Sequence, residues 1–192
     1  MATTPRILAF AGSLRADSLN KKLVRVAAAA ATAAGAEVTT IDLAEHRLPI
    51  YDGDLEEQSG LPDAARGLKE MFRDHHGLLI ASPEYNSSIT AVLKNTIDWV
   101  SRPEPDEPPL SCFTGKVAGI MAASPGGLGG LRGLVHLRAI LGNIQVTVVP
   151  RQIAISQAHT AFAEDGRLTD EKQQASVAAV AEAVTTMLTK LL

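Results

Sequence analysis

Cysteine is almost missing from this sequence. Cys112 stands alone among 192 residues, so no disulfide closes within the chain and no second thiol makes a redox pair. Any redox chemistry must be carried by a bound cofactor. Charge of one sign is also scarce: the formal net charge of −3 offers no field for holding a polyanion, which argues against a nucleic-acid partner. No apolar run approaches the ~20 residues that span a bilayer, and MATTPRILAF lacks the basic and long apolar regions of a secretory signal. The expectation is a soluble, cytoplasmic protein without membrane insertion. There is no GxSxG nucleophile elbow, and the five histidines show no metal-ligand spacing, so no metal is assigned.

What is present reads as one globular domain over residues 1–192, with 46% apolar and 20% charged residues. Short apolar runs bounded by loop formers predict five strands: Arg6 to Ala11, Glu37 to Ile41, Gly77 to Ser82, Lys116 to Ala123 and Gln145 to Val149. Helical stripes alternate with them. Leu19, Leu23, Val26 and Ala30 mark a first helix with Ser18 as N-cap, and Ala65, Leu68, Met71 and Phe72 a second opened by Pro62. Ile89, Leu93, Ile97 and Val100 mark a third that Pro103 must end; Leu134, Leu137 and Leu141 a fourth starting near Leu131; and Val177, Val180, Val184, Leu188 and Leu191 a last one from about Thr169. Strand and helix in alternation call for a parallel sheet with helices on both faces, an α/β fold. Two irregular excursions, HRLPIYDGDLEEQSG and RPEPDEPPLSCF, interrupt the rhythm.

Ligands of such sheets bind outside the carboxyl ends of the strands. Three loops at that edge have unusual chemistry. AGSLRADSLN combines Gly12, short donors on Ser13, Ser18 and Asn20, the fork of Arg15 and a helix N-terminus, a set suited to a phosphate. It is neither a Walker A nor a GxGxxG loop. SPEYN offers Pro83, Glu84, Tyr85 and Asn86, with Ser87 or Ser88 as a helix cap, to the edge and face of a flat heterocycle. SPGGLGGLRG, with Ser124, Gly126, Gly127 and Gly129, lets backbone N–H groups come close to a ligand. Ordinary structural roles are assigned elsewhere: Trp99 to the core or a subunit interface, His75 and His76 to a helix end, and Asp98 with Arg102 to a surface pair one helical turn apart.

GSLRADSLNKKL, LPIYDGDLE, PEYNSSITAVLKNTIDWVSR and SPGGLGGLR together resemble the NADPH-dependent FMN reductase family over most of residues 5 to 150. That resemblance implies a flavodoxin-like three-layer sandwich with a five-stranded parallel sheet in the order 2-1-3-4-5. It implies FMN, with Ser13, Arg15, Ser18, Leu19 and Asn20 on the phosphate, Pro83, Glu84, Tyr85 and Asn86 along the isoalloxazine, and Ser124, Gly126, Gly127 and Gly129 on its other side. It also implies NADPH or NADH as co-substrate, ping-pong hydride transfer to a quinone, flavin, azo compound or metal oxyanion, no catalytic side chain, and a homodimer or homotetramer. A flavodoxin-type electron carrier is the alternative, but such carriers are more acidic and sandwich the ring with aromatics, which make up 4% of this chain. A phosphate-binding module or hydrolase is a second alternative.

Overall fold

The computed structural model describes residues 3–192. Five strands, β1 (Arg6–Ala11), β2 (Glu37–Ile41), β3 (Gly77–Ala81), β4 (Val117–Ala123) and β5 (Thr147–Ile155), form one sheet in the order β2-β1-β3-β4-β5, every pairing parallel. The inner strands β3 and β4 are buried at every residue, because helices cover both faces and GLLIA and VAGIMAA supply apolar or small side chains to each.

On one face lie α1 (Leu19–Ala33) and α6 (Glu171–Leu191), on the other α3 (Asp63–Asp74), α4 (Ala91–Val100) and α5 (Leu131–Asn143). The first core joins Leu23, Ala27 and Ala31 to Val177, Val180 and Val184; the alanines let α1 lie close to the sheet. The second joins Leu68, Phe72, Leu93, Ile97, Leu134 and Leu137.

Three expectations need correction. The last strand begins two residues later than Gln145 and runs past Val149 to Ile155, through Pro150. Its pairing with β4 shifts register between Ala118 and Ile120, and β5 is an edge strand, so a residue without an N–H is accommodated at the irregularity. The first excursion contains a helix, α2 (Gly53–Ser59), capped by Asp52, whose Oδ1 accepts from the Asp54 N–H at 2.9 Å. Asp98 does not pair with Arg102: Lys94 takes Asp98 at 2.7 Å, and Arg102 reaches Glu56 of α2 at 2.9 Å.

Both excursions are tied down by long-range bonds. Trp99 is fully buried, and its Nε1 donates to the Pro49 carbonyl at 2.8 Å; the Tyr51 N–H donates to Asn95 Oδ1 at 2.8 Å. In the second excursion the buried ammonium of Lys69 donates to the Arg102 carbonyl and, at 2.7 Å, to Glu107, which also pairs with Arg73. The hydrogen bond from Lys69 holds the Glu107 carboxyl below its ordinary 4.5. Its stabilising contribution is therefore complete above pH 4.5 and disappears as pH falls through the lower folded value. In Glu107→Gln the thermal midpoint should be lower at neutral pH, with a smaller further drop on acidification; an acid limb as steep as that of the unmodified protein would contradict this clasp.

Candidate functional site

The loop leaving β1 starts by extending the sheet: the Gly12 N–H donates to the Ala81 carbonyl at 2.9 Å. A Cβ on Gly12 would come within 2.9 Å of Leu93 Cβ, so glycine is what allows α4 to pack against this turn. Thr90 secures the contact. Its hydroxyl donates to the Gly12 carbonyl at 2.7 Å and accepts from the Leu93 N–H at 3.2 Å, which makes Thr90 the N-cap of α4 in place of Ser87 or Ser88. Thr90→Ala removes both bonds and should cost about 1–2 kcal/mol of unfolding free energy in a urea titration. No measurable loss would show that the two loops are held together otherwise.

Beyond Gly12 the chain gathers donors. Ser13 and Ser18 are buried, Ser13 Oγ accepting from the Arg15 N–H at 3.3 Å and Ser18 Oγ from the Lys21 N–H at 3.4 Å as the cap of α1. The Leu19 and Asn20 N–H groups, in the first turn of α1, have no backbone acceptor among the described residues. The Arg15 side chain is exposed and forms no ion pair among the described residues. Asn20 serves the scaffold: its amide donates to the Ala123 carbonyl at 2.8 Å and accepts from the Ala123 N–H at 3.0 Å, bolting α1 to the end of β4.

After β3, Pro83, Glu84 and Tyr85 lead into a tight hairpin. Asn86 and Ser87 both have positive φ, 50° and 67°, and Tyr85 and Ser88 exchange backbone bonds of 2.9 and 3.1 Å around them. Tyr85 is thereby turned outward, 55% exposed. After β4, the Ser124 N–H donates to the Ile155 carbonyl and the Ala158 N–H to the Ser124 carbonyl, each at 3.0 Å, so the end of β5 supports this loop. Gly127 is exposed with nothing within 4 Å of a Cβ built there. Gly129, at φ +63°, has its own structural reason, since a Cβ would meet the backbone of Ile155 at 2.7 Å.

The three loops share one cavity of about 130 Å³. Ser13, Arg15, Ser18, Leu19 and Asn20 line it from the first, Pro83, Glu84 and Tyr85 from the second, and Ser124 from the third. Ala123 and Pro125 complete it; no sequence signal marked them. Asn86, Gly126, Gly127 and Gly129 fall outside the lining. A larger cavity, about 780 Å³, lies elsewhere, between α1 and residues 162–167, but Lys22, Arg25 and Arg167 there alternate with Glu164 and Asp165 and no donor set converges. Cys112 is buried outside the cleft, and burial pushes its thiol up, so it supplies no nucleophile for a hydrolase.

Loops after the first, third and fourth strands thus meet at the carboxyl edge of a 2-1-3-4-5 sheet, around N–H donors and an arginine that have no partner among the described residues. The family model of NADPH-dependent FMN reductase matches residues 5–160. The chain belongs to this family. It is therefore an oxidoreductase of the NADPH-dependent FMN reductase family, whose redox chemistry is that of FMN and reduced pyridine nucleotide. An NAD(P)H-dependent FMN reductase of Pseudomonas aeruginosa is 37% identical over 173 residues, covering 90% of this chain and 89% of the relative. A quinone reductase of Escherichia coli K12 is 36% identical over 141 residues, 73% of this chain and 71% of the relative. Among solved structures, an NAD(P)H:(acceptor) oxidoreductase, FerB, from Paracoccus denitrificans superposes with a TM-score of 0.82 at 30% identity, covering 97% of this chain and 98% of the other.

Proposed function

We propose that this FMN reductase family member holds the flavin phosphate in the loop after β1 and passes reducing equivalents from NAD(P)H to a quinone-type acceptor. One observation carries the reading: the unpartnered N–H groups of Leu19 and Asn20 and the unpaired Arg15 guanidinium share a lining with the buried Ser13 and Ser18. That donor set suits a phosphate, because several directed hydrogen bonds to an anion at roughly 1.5–3 kcal/mol each outweigh the ~0.3–1 kcal/mol of a helix terminus alone. FMN, when bound, supplies the hydride-accepting and hydride-donating chemistry.

The chain's own residues bind and orient. A volume of about 130 Å³ is well below the ~300 Å³ at which small-molecule pockets begin, so the cleft would hold the phosphate end of FMN rather than the whole cofactor. Asn86, Gly126, Gly127 and Gly129, outside the lining, would then border the ring end with Tyr85. Such an open site would admit nicotinamide and acceptor in turn, which favours a reductase over a sealed electron carrier and extends the acceptors to free flavin, azo compounds or metal oxyanions. Double-reciprocal plots against NADPH at several quinone concentrations should give parallel lines; intersecting lines would mean that both substrates bind together and would contradict a single shared face.

Leu131 and Val135, one turn apart on α5, and Leu128 just before it are each 45–59% exposed, and these apolar side chains support a homo-oligomer, dimeric or tetrameric, that covers them. The same reading treats residues 1–192 as one FMN-binding unit and places it in the cytoplasm, where reduced pyridine nucleotides are available.

A further inference from the structure

Glu84 lines the cleft, but its carboxylate is already engaged. Its side chain is 8% exposed, and every strong donor near it belongs to α5. One oxygen, Oε1, accepts from Arg132 Nη2 at 2.6 Å and Nε at 2.8 Å; the other, Oε2, accepts from the Gly133 N–H at 3.1 Å. Burial would raise this carboxyl, but the bonds from Gly133 and Arg132 outweigh it and hold Glu84 below its ordinary 4.5, as an anion.

The partner helix explains the arrangement. The N-cap of α5 is a glycine, Gly130, in the left-handed region at φ +94°, with no side chain to cap the first turn. Gly133 is the third residue of that helix, the position at which a capping side chain ordinarily accepts. A residue 49 positions earlier in the chain does this instead. Gly133 lacks a Cβ that would stand 3.2 Å from the Ser88 carbonyl, so the hairpin of residues 85–88 can lie directly on the helix, and His136 Nδ1 sits 2.9 Å from Ser88 Oγ alongside.

We propose that Glu84 is a positioning residue: by capping α5 from the loop after β3 and pairing with Arg132, it locks the two walls of the ring end of the cleft into one rigid body and withholds Arg132 and the α5 N-terminus from any anionic ligand. The phosphate is thus left a single address, the loop after β1. This rests on the flavin reading given above. Glu84 touches no reacting atom; it acts through Tyr85 and the loop of residues 124–130.

The test compares Glu84→Ala, Glu84→Gln and Arg132→Leu with the unmodified protein. Amide exchange in the apoprotein should rise at Arg132 and Gly133 in Glu84→Ala, and FMN should dissociate about tenfold more readily, with a changed visible circular-dichroism band from the re-oriented ring. Glu84→Gln keeps the shape and one acceptor and should fall between. Combined with Arg132→Leu it should lose much less than the sum of the two single effects. Should Glu84→Ala fold poorly, the Glu84→Gln and Arg132→Leu pair reads the same coupling. FMN affinity, flavin dichroism and amide exchange all unchanged in Glu84→Gln and Arg132→Leu would overturn the latch. If Arg15→Ala still weakens FMN binding in that case, the flavin reading survives; if Arg15→Ala also leaves it intact, the flavin reading has failed as well.

Discussion

Replacing Arg15 with alanine should weaken FMN binding about 10- to 150-fold, because a hydrogen bond to a charged group contributes roughly 1.5–3 kcal/mol and each ~1.4 kcal/mol is a factor of ten. The change should leave the fold alone: the side chain is exposed, forms no ion pair among the described residues, and only its backbone N–H is used, by Ser13. Folding stability in urea should therefore stay within about 0.5 kcal/mol of the unmodified protein. Riboflavin, which lacks the phosphate, should bind more weakly than FMN to the unmodified protein and lose little further affinity in Arg15→Ala. Fluorescence titrations with both flavins read this directly. Equal loss for riboflavin and FMN would mean that Arg15 meets the ring or the ribityl chain instead.

Gly129→Ala should destabilise the protein by about 3 kcal/mol or more, at or beyond the upper end of what most single substitutions cost. The new methyl group would lie 2.7 Å from Ile155 C and 2.8 Å from Ser156 N, backbone atoms at the end of β5 that cannot rotate away, and the residue would keep φ near +63°. Gly127→Ala, two residues earlier, meets nothing within 4 Å and has no positive φ, so its stability should change by no more than about 0.5 kcal/mol. That contrast makes Gly127 the informative position for ligand effects. A bulkier side chain there should depress flavin affinity or hydride transfer while the denaturation curve stays in place, and unchanged behaviour in both would remove Gly127 from the ring's surroundings.

Central elements were the most legible. β3 and β4 are buried on both faces, so GLLIA and VAGIMAA read as continuous apolar runs, and the stripes of α1, α3 and α5 followed from spacing alone. The periphery was harder for definable reasons. Pro150 looks like a stop, yet an edge strand with a register shift tolerates it. GDLEEQS buries no residue, so α2 leaves no periodic signal. Two serines ahead of α4 drew the cap assignment, but Asn86 and Ser87 are spent on a hairpin turn, and Thr90, three residues before Leu93, takes the role.

Within the cleft, local donors such as Ser13, Arg15 and Ser18 were readable because a loop concentrates them in sequence. Pairings across the fold were not. Asp98 stands four residues from both Lys94 and Arg102, and only the structure shows Glu56 drawing Arg102 away, or Glu84 holding Arg132 across 48 positions. Asn20 shows the same limit: its amide is occupied by Ala123, 103 residues on.

If the turns after β1, β3 and β4 seat FMN with its ring open to a nicotinamide, anaerobic addition of NADPH to the FMN-loaded protein should change its visible absorbance. The yellow absorbance should bleach at one equivalent of NADPH per bound flavin and return when a quinone is added. A protein that takes up no FMN, or one that stays yellow in excess NADPH and NADH alike, would contradict this placement of the flavin.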